Sequence, residues 1–347
     1  TATREYFENN DFLGLSPDDV VIFKQGTMPA VDVNSGKLLL AAKDSLALSP
    51  DGQTLVFSLQ GVLFSAPVSG GAATPLTDYY QDAREPVWNR DGSFIIYQGY
   101  RSGNWDLWSL PTAGGDPLPL TTDAFDDREP QVSPTGGQIA FSSDRSGNYD
   151  IWLLSVADGS LTQITNTPEN ESGPAWSPDG SEIAFSTSVS RQASEIRAIS
   201  LVTRETRLLA SETGSVAGVS WHPDGSQITY QNALPGQTML KALTLASGTS
   251  VVLSQADDDV FPFRASWLAD GSLLYAANGG MQRQGATGVR SPIPFEATFE
   301  LDRPDYQRRR RDHDDTTPRQ ALGLSQPVIS ANGQEVAFTA LGDLWLW

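Results

Sequence analysis

One short phrase recurs seven times along this chain of 347 residues, and it limits the possible folds more than any other feature. Each copy has an apolar segment, a turn ending in Gly and a second apolar segment, as in "PAWSPDGSEIAF" and "PVISANGQEVAF". The turn glycines stand at positions 52, 92, 136, 180, 225, 271 and 333, so the spacings are 40, 44, 44, 45, 46 and 62 residues. A period near 45 residues indicates a repeat architecture.

Each repeat contains signals for several short strands. Asp-Gly and Asn-Gly supply the tight turn, because Gly adopts the positive φ that a hairpin needs. The flanking segments are rich in β-branched and aromatic residues, as strands are. A second hairpin follows in "QGYRSGNWDLWSL" and "SSDRSGNYDIWLL", and a third Gly turn follows in "PTAGGDPLPLT" and "SVADGSLTQIT". The sequence therefore predicts four antiparallel strands per repeat.

The strand at residues 151–154 is apolar at four consecutive positions, Ile-Trp-Leu-Leu, rather than at alternate ones. Such a strand is covered on both faces. One face of a sandwich sheet commonly meets solvent, whereas a propeller blade is packed between two neighbours. We therefore expect an all-β fold, a β-propeller of four-stranded antiparallel blades.

The number of blades depends on how the ring closes. We expect seven, with one blade made of three carboxy-terminal strands and an outer strand from the amino end, residues 37–42, because this closure hides both open edges. Residues 279–323 would then be an insertion or linker within a single propeller of residues 1–347. The alternative is a propeller of residues 1–322, with 323–347 beginning a following propeller.

Composition excludes several classes of function. The net charge of −19 argues against nucleic-acid partners, because the phosphate term would be repulsive. The sequence contains no apolar segment long enough to predict insertion into a membrane. The absence of Cys excludes disulfides, Cys–zinc sites and thiol nucleophiles. Of the two histidines, His222 is interpreted as a turn residue and His313 as part of a solvated charged loop, so we expect no metal site built on them.

Charged residues recur in the connections that enter the innermost strands: "DAREP", "DDREP", "ENESGP" and "DDDVFPF". In a propeller these connections surround one mouth of the central channel. The candidate binding residues there are Arg84, Glu85, Asp127, Arg128, Glu129, Glu171 and Asp258. Either they bridge adjacent blades and hold the ring in register, or they form a charged entrance for a peptide, a small ligand or a cation such as Ca²⁺ in the channel.

The Ser-Pro-Asp-Gly turn, the Ile-Ala-Phe strand and the "SDRSGNYDIW" hairpin resemble the repeat of TolB-like propellers, which also occurs in tricorn-type and prolyl-oligopeptidase-type peptidases. The segment "RRRRDHDDTTPRQALGLSQPVIS" is similar to a junction in large bacterial amidohydrolase-related proteins, where a propeller array precedes a metal-dependent hydrolase domain. The resemblance implies a periplasmic or secreted protein whose catalytic domain, if it has one, lies beyond Trp347.

Three functions remain open from the sequence. The first is a binding and scaffolding propeller, the non-catalytic front of a larger secreted or periplasmic amidohydrolase or peptidase. The second is a free-standing module for protein–protein interaction. The third is a hydrolase or lyase acting at the channel mouth, against which the lack of clustered His and of Cys argues. We expect no catalytic residue and no resident cofactor in this chain.

Overall fold

The computed structural model describes residues 45–347 except 79–80, 102, 286, 301–324 and 341–342, together with 20–24, 30–31 and 38–39. The chain divides into two units, Thr1–Asp302 and Arg303–Trp347. Every regular element in the described residues is a β-strand, which confirms the all-β prediction. The described residues contain no helix that is long and apolar enough to cross a membrane.

Six sheets of the first unit are the blades of a ring, and each runs as a meander from an inner to an outer strand. Blade 1 has Leu46–Leu48, Thr54–Leu59, Val62–Pro67 and Gly71–Pro75; blade 2 has Arg84–Trp88, Phe94–Tyr100, Trp105–Pro111 and Leu118–Pro119; blade 3 has Asp127–Val132, Gln138–Ser143, Asp150–Ser155 and Leu161–Gln163. Blade 4 has Asn170–Trp176, Glu182–Ser190, Ala193–Ser200 and Thr206–Thr213; blade 5 has Ser215–Trp221, Gln227–Leu234, Gln237–Thr244 and Thr249–Val252; blade 6 has Ser266–Trp267, Leu273–Ala277, Gly280–Gln284 and Arg290–Ile293.

The repeated turns form as the sequence predicts. Gly180 has a φ of +73° and donates its N–H to the Ser177 carbonyl at 2.9 Å. The Asp179 carboxylate accepts hydrogen bonds from the Ser177 hydroxyl at 2.6 Å and the Ser181 N–H at 3.0 Å, which lower the pKa of Asp179. Each Asp-Gly turn thus fixes the register of an inner strand against the next strand of its blade.

Six apolar clusters fill the junctions between neighbouring blades. Phe141 of blade 3, for example, packs with Leu107 of blade 2, and both are completely buried. Blade 6 packs directly on blade 1, because one buried apolar cluster contains Leu274 of blade 6 together with Leu55 and Phe57 of blade 1. Burial of each such side chain is worth about 1.5–3 kcal/mol, so the junctions stabilise the ring.

This contact corrects the preferred blade count. The described strands of the first unit close a ring of six, because the apolar faces that a seventh blade would separate already touch each other. Of the expected closing strand at 37–42, the structure describes Leu38–Leu39, which pairs with Ala30–Val31; the rest lies outside the described residues.

The segment expected as an insertion, 279–323, instead begins with the third and fourth strands of blade 6, Gly280–Gln284 and Arg290–Ile293. Phe295–Glu300 then runs parallel to Gly71–Pro75 on the outer edge of blade 1 and pairs on its other side with Val20–Lys24. Phe295 and Ala297 of this strand are buried in the apolar cluster that blades 1 and 6 share, so the strand is packed into the ring.

The second unit contains a three-stranded antiparallel sheet of Ser325–Ile329, Val336–Ala340 and Asp343–Leu346. Its first strand repeats a detail of the blades, because Gln326 has a φ of +54° six residues before the turn residue Asn332. That 323–347 begins a following propeller stays a prediction.

Candidate functional site

Each blade places one residue, in its inner strand or just before it and seven positions before its turn glycine, in a set that we call the channel ring. In blade order the set is Ser45, Glu85, Glu129, Gly173, Gly218 and Arg264. Four members have positive φ values between 50° and 63°: Glu85, Glu129, Gly173 and Gly218. The strand register shifts at the same four places. Such β-bulges re-aim side chains, which gives these inner strands a common irregularity.

Arg264 of blade 6 crosses the middle of the ring. Its guanidinium donates hydrogen bonds to the carbonyls of Glu129 at 3.2 Å, Pro130 at 3.2 Å and Pro174 at 2.8 Å. The Glu85 carboxylate lies 3.9 Å away. One side chain therefore links blade 6 to blades 2, 3 and 4, and the channel is bridged rather than open at this level.

Glu129 links three blades. Its N–H donates to the Gln98 side-chain oxygen of blade 2 at 2.7 Å, and its carboxylate accepts from the Gly173 N–H of blade 4 at 2.6 Å. Glu85 similarly donates its N–H to the Ser45 hydroxyl of blade 1 at 2.7 Å. A left-handed backbone costs a residue other than Gly about 1 kcal/mol, so these bonds hold both glutamates in a strained conformation.

Arg84 and Arg128 lie nearer the surface and flank one indole. Each guanidinium carbon is 5.4 Å from the centroid of the Trp105 ring. Arg84 also pairs with Asp82 at 2.9 Å, and Arg128 with Asp126 at 2.5 Å. The Arg84 and Arg128 side chains remain 45% and 37% exposed, so both present ordered donors to solvent.

Two tyrosines extend this arrangement. Arg128 lies 5.6 Å from the ring centroid of Tyr149, whose hydroxyl donates to Asp126 at 3.1 Å. Burial raises the pKa of Tyr149 to about 12. Tyr100, which is exposed, meets Trp105 edge-on at 5.4 Å between ring centroids. We call Tyr100, Trp105, Tyr149, Arg84 and Arg128 the mouth cluster.

Asp127 and Glu171, predicted at the mouth, are instead completely buried between blades. Asp127 accepts two hydrogen bonds of 2.8 Å from Arg145; burial raises its pKa, and its bonds with Ser143 and Arg145 oppose the rise. Burial also raises the pKa of Glu171, and its neighbour Asp150 adds to the rise.

Asp258 is also buried, and its hydrogen bonds are made within its own blade and the connection that leads into it. It accepts hydrogen bonds from Arg290, from the Asn278 amide at 2.8 Å and from the Gln255 N–H at 2.9 Å. Burial alone would raise the pKa of Asp258, but these bonds outweigh it and lower the pKa. Of the seven predicted residues, Arg84 and Arg128 thus lie at the surface of the mouth, Glu85 and Glu129 in the channel ring, and three between strands and blades.

Comparison with known proteins agrees with this geometry. Residues 104–244 match a family model described as Tricorn protease N-terminal beta propeller domain. A putative TolB from Agrobacterium tumefaciens superposes with a TM-score of 0.57 at 18% identity, covering 73% of this chain and 94% of that one. The tricorn protease superposes with a TM-score of 0.59 at 12% identity, covering 88% of this chain and 30% of that one. The chain thus folds as a β-propeller similar to those of TolB and the tricorn protease.

Among curated proteins, UDP-N-acetylglucosamine diphosphorylase 1 of Arabidopsis thaliana is 42% identical over 57 residues, which is 16% of this chain and 11% of that protein. The chain thus spans about a tenth of the length of the curated relatives that it matches. So short a match carries no activity over to the TolB-like propeller.

Two arginines of the propeller were missed from the sequence. Arg264 stands at the offset from the turn that Glu85 and Glu129 occupy, so aligning the repeats on the turn would have found it. Arg145 belongs to the repeated "RSGN" hairpin, which the sequence indicates only as a turn between strands, and its side chain is nearly buried.

The residues that the structure describes include no group of three or more His, Cys, Asp or Glu placed to hold a metal ion. His222 lies 2.6 Å from Asp224 in its own turn and packs edge-on against Trp267, in agreement with its interpretation as a turn residue. His313 lies outside the described residues.

Proposed function

We propose that this chain is a non-catalytic binding and scaffolding propeller that takes a protein or peptide partner at the mouth cluster. The observation that carries the proposal is the placement of Arg84 and Arg128 against Trp105, with both guanidinium groups partly exposed. Trp, Tyr and Arg are the residues that most often dominate the energy of protein interfaces.

Preordering supports the same proposal. Asp82 and Asp126 hold the two guanidinium groups, and the carbon of each group lies 5.4 Å from the centroid of the Trp105 ring. Side chains that are already ordered lose less conformational entropy on binding, so more of their contact energy becomes affinity. Arg264 bridges the channel below, which favours a partner that lies across the mouth over one that threads the ring.

We further propose that the propeller serves a larger secreted or periplasmic amidohydrolase or peptidase. The support is the matched family model, which describes the N-terminal propeller of a protease. A free-standing interaction module is the second candidate, favoured by the superposition that covers 94% of a putative TolB chain. The net charge of −19 argues against nucleic acid in either setting.

The test uses the whole chain against a display library of random dodecapeptides, followed by titration of the enriched peptide. The variant is Arg84→Ala with Arg128→Ala. Its matched control is Arg207→Ala, which removes an exposed arginine on the outer strand of blade 4 that is paired with Glu182 of the second strand. We expect the double variant to bind at least about tenfold more weakly at an unchanged melting temperature, and the control to bind as the parent does.

Two results would overturn the proposal. One is a peptide that binds the double variant as tightly as it binds the parent chain. The other is a large fall in melting temperature in the double variant without loss of binding by the folded fraction, which would assign both arginines to holding the ring together.

A further inference from the structure

The junction between blades 2 and 3 contains a buried ionic cluster. Asp127 on the inner strand of blade 3 accepts two hydrogen bonds from Arg145, and the same guanidinium donates through Nε to the Ser143 hydroxyl at 2.9 Å. Asp106 of blade 2 lies beside them and accepts from the Thr121 hydroxyl at 3.4 Å. Asp127 is thus paired with a nearly buried cation, which also lies 3.1 Å from Asp123.

The junction between blades 3 and 4 repeats these positions 44 residues further along the chain, from 106 to 150 and from 127 to 171. Asp150 and Glu171 are the acids, and both are completely buried. Thr165 takes the place of Thr121, and Thr187 that of Ser143. At the fifth position, Val189 stands where the first junction has Arg145.

Two buried oxygens of the second junction make no hydrogen bond to any described residue: Glu171 Oε2 and Thr187 Oγ1. They belong to residues directly opposite each other in the strand pair, as Asp127 and Ser143 are in blade 3. Side chains directly opposite in a strand pair lie on one face, about 5 Å apart at Cβ. The two unpartnered atoms therefore belong to the counterparts of the two residues, Asp127 and Ser143, that Arg145 binds.

From this correspondence we infer that the junction between blades 3 and 4 binds a calcium ion between Glu171, Asp150 and Thr187, at the place equivalent to the Arg145 guanidinium. All the donors are oxygens, the ligand type of hard cations. Ca²⁺ fits better than Mg²⁺, since Mg²⁺ keeps several waters and a buried strand pair leaves little room for them.

Neighbouring groups supply the remaining polar environment. The Asp150 carboxylate accepts from Ser146 and, at 3.1 Å, from Gln163, while Glu171 Oε1 accepts from the Thr167 hydroxyl at 2.5 Å. The described residues of the junction thus present two carboxylates and several hydroxyls, and no side-chain cation is bonded to either acid.

A shared proton is the rival to the ion. It would join Glu171 to Asp150 and remove one negative charge, which burial of the pair favours. It would leave the Thr187 hydroxyl without a partner, at a cost of about 1–3 kcal/mol, whereas a calcium ion accounts for both unpartnered oxygens.

The experiment titrates CaCl₂ into the whole chain after treatment with a chelator, using isothermal titration calorimetry and thermal unfolding at neutral pH. We expect saturable binding and a rise in melting temperature of roughly 5–10 °C at about a hundredfold excess over Kd. Val189→Arg should restore the guanidinium of the first junction, raise stability without calcium and abolish the response. Val251→Arg, an exposed valine of blade 5, is the matched control and should respond as the parent does.

Glu171→Gln should also abolish the stabilisation by calcium. If that variant fails to fold, the Val189→Arg variant still tests whether the junction binds calcium. A parent chain that ignores calcium, or a Val189→Arg variant that still responds, overturns the inference. A chain whose stability responds to pH alone and not to calcium would assign the junction to a shared proton instead.

Discussion

The junctions on the two sides of blade 3 are built from equivalent residues at five positions, yet among the described residues only the first bonds a buried acid, Asp127, to an arginine. Asp127 has Arg145 across two hydrogen bonds, whereas Glu171 has Asp150 beside it and Val189 at the arginine position. The repeat therefore reproduces the buried carboxylates without their counter-charge. One residue at the edge of the junction decides whether a buried acid is an ion-pair partner or an unbalanced charge.

The largest expected difference between the junctions comes from removing one carboxylate from each. Asp127→Asn leaves Arg145 nearly buried with a weaker acceptor, so we expect a loss of about 3 kcal/mol in the free energy of unfolding. Glu171→Gln removes a charge that has no cation, so in chelator we expect a change of less than about 1 kcal/mol.

Urea unfolding of both variants beside the parent measures this difference, provided that the dependence on urea concentration is unchanged. Equal losses in the two variants would mean that the junctions do not differ in charge balance.

The ring itself could be predicted from the sequence, because strands and turns are local. Asp-Gly turns and consecutive apolar residues determine blade geometry within one repeat, and the structure has four-stranded sheets at the predicted places. The count of six could not be predicted, since an inner strand that closes a ring and one that opens a new sheet have the same apolar pattern. The contact of Leu274 with blade 1 decides it, and that contact joins distant parts of the chain.

Only part of the candidate site could be predicted, again because some of its contacts are not local in the sequence. Arg128 and Asp127 are neighbours in a strand, so their side chains point in opposite directions, one to the mouth and one between blades. Charge alone could not separate them. The bridge made by Arg264 depends on partners 90 to 135 residues away, beyond what any motif encodes.

A second difference between the junctions is in their response to pH. Burial and Asp150 raise the pKa of Glu171 in the folded chain, so the folded state holds that proton more tightly than the unfolded state does. The associated stability is present below the unfolded pKa of a glutamate and is lost as pH rises towards the folded pKa.

Without calcium, the stability of Glu171→Gln relative to the parent should therefore grow as pH rises from about 4, and level off above the folded pKa. Unfolding measured across this range in chelator tests it. A difference that stays constant with pH would show that Glu171 titrates alike in both states.

The smallest expected effects come from the hydroxyls, Ser143 in the first junction and Thr187 in the second. Ser143→Ala removes the acceptor of the Arg145 Nε–H and should cost about 1 kcal/mol. Thr187→Val keeps the shape of the side chain and removes a buried hydroxyl that has no partner in the described residues, so it should be neutral or stabilising in chelator. With added calcium, Thr187→Val should instead be less stable than the parent. The valine offers the ion no oxygen, so calcium should stabilise this variant less than it stabilises the parent. Thermal unfolding of the two variants with and without calcium measures all four values. A Thr187→Val variant that loses stability in chelator would place a partner on that hydroxyl and remove one of the two oxygens on which the calcium site depends.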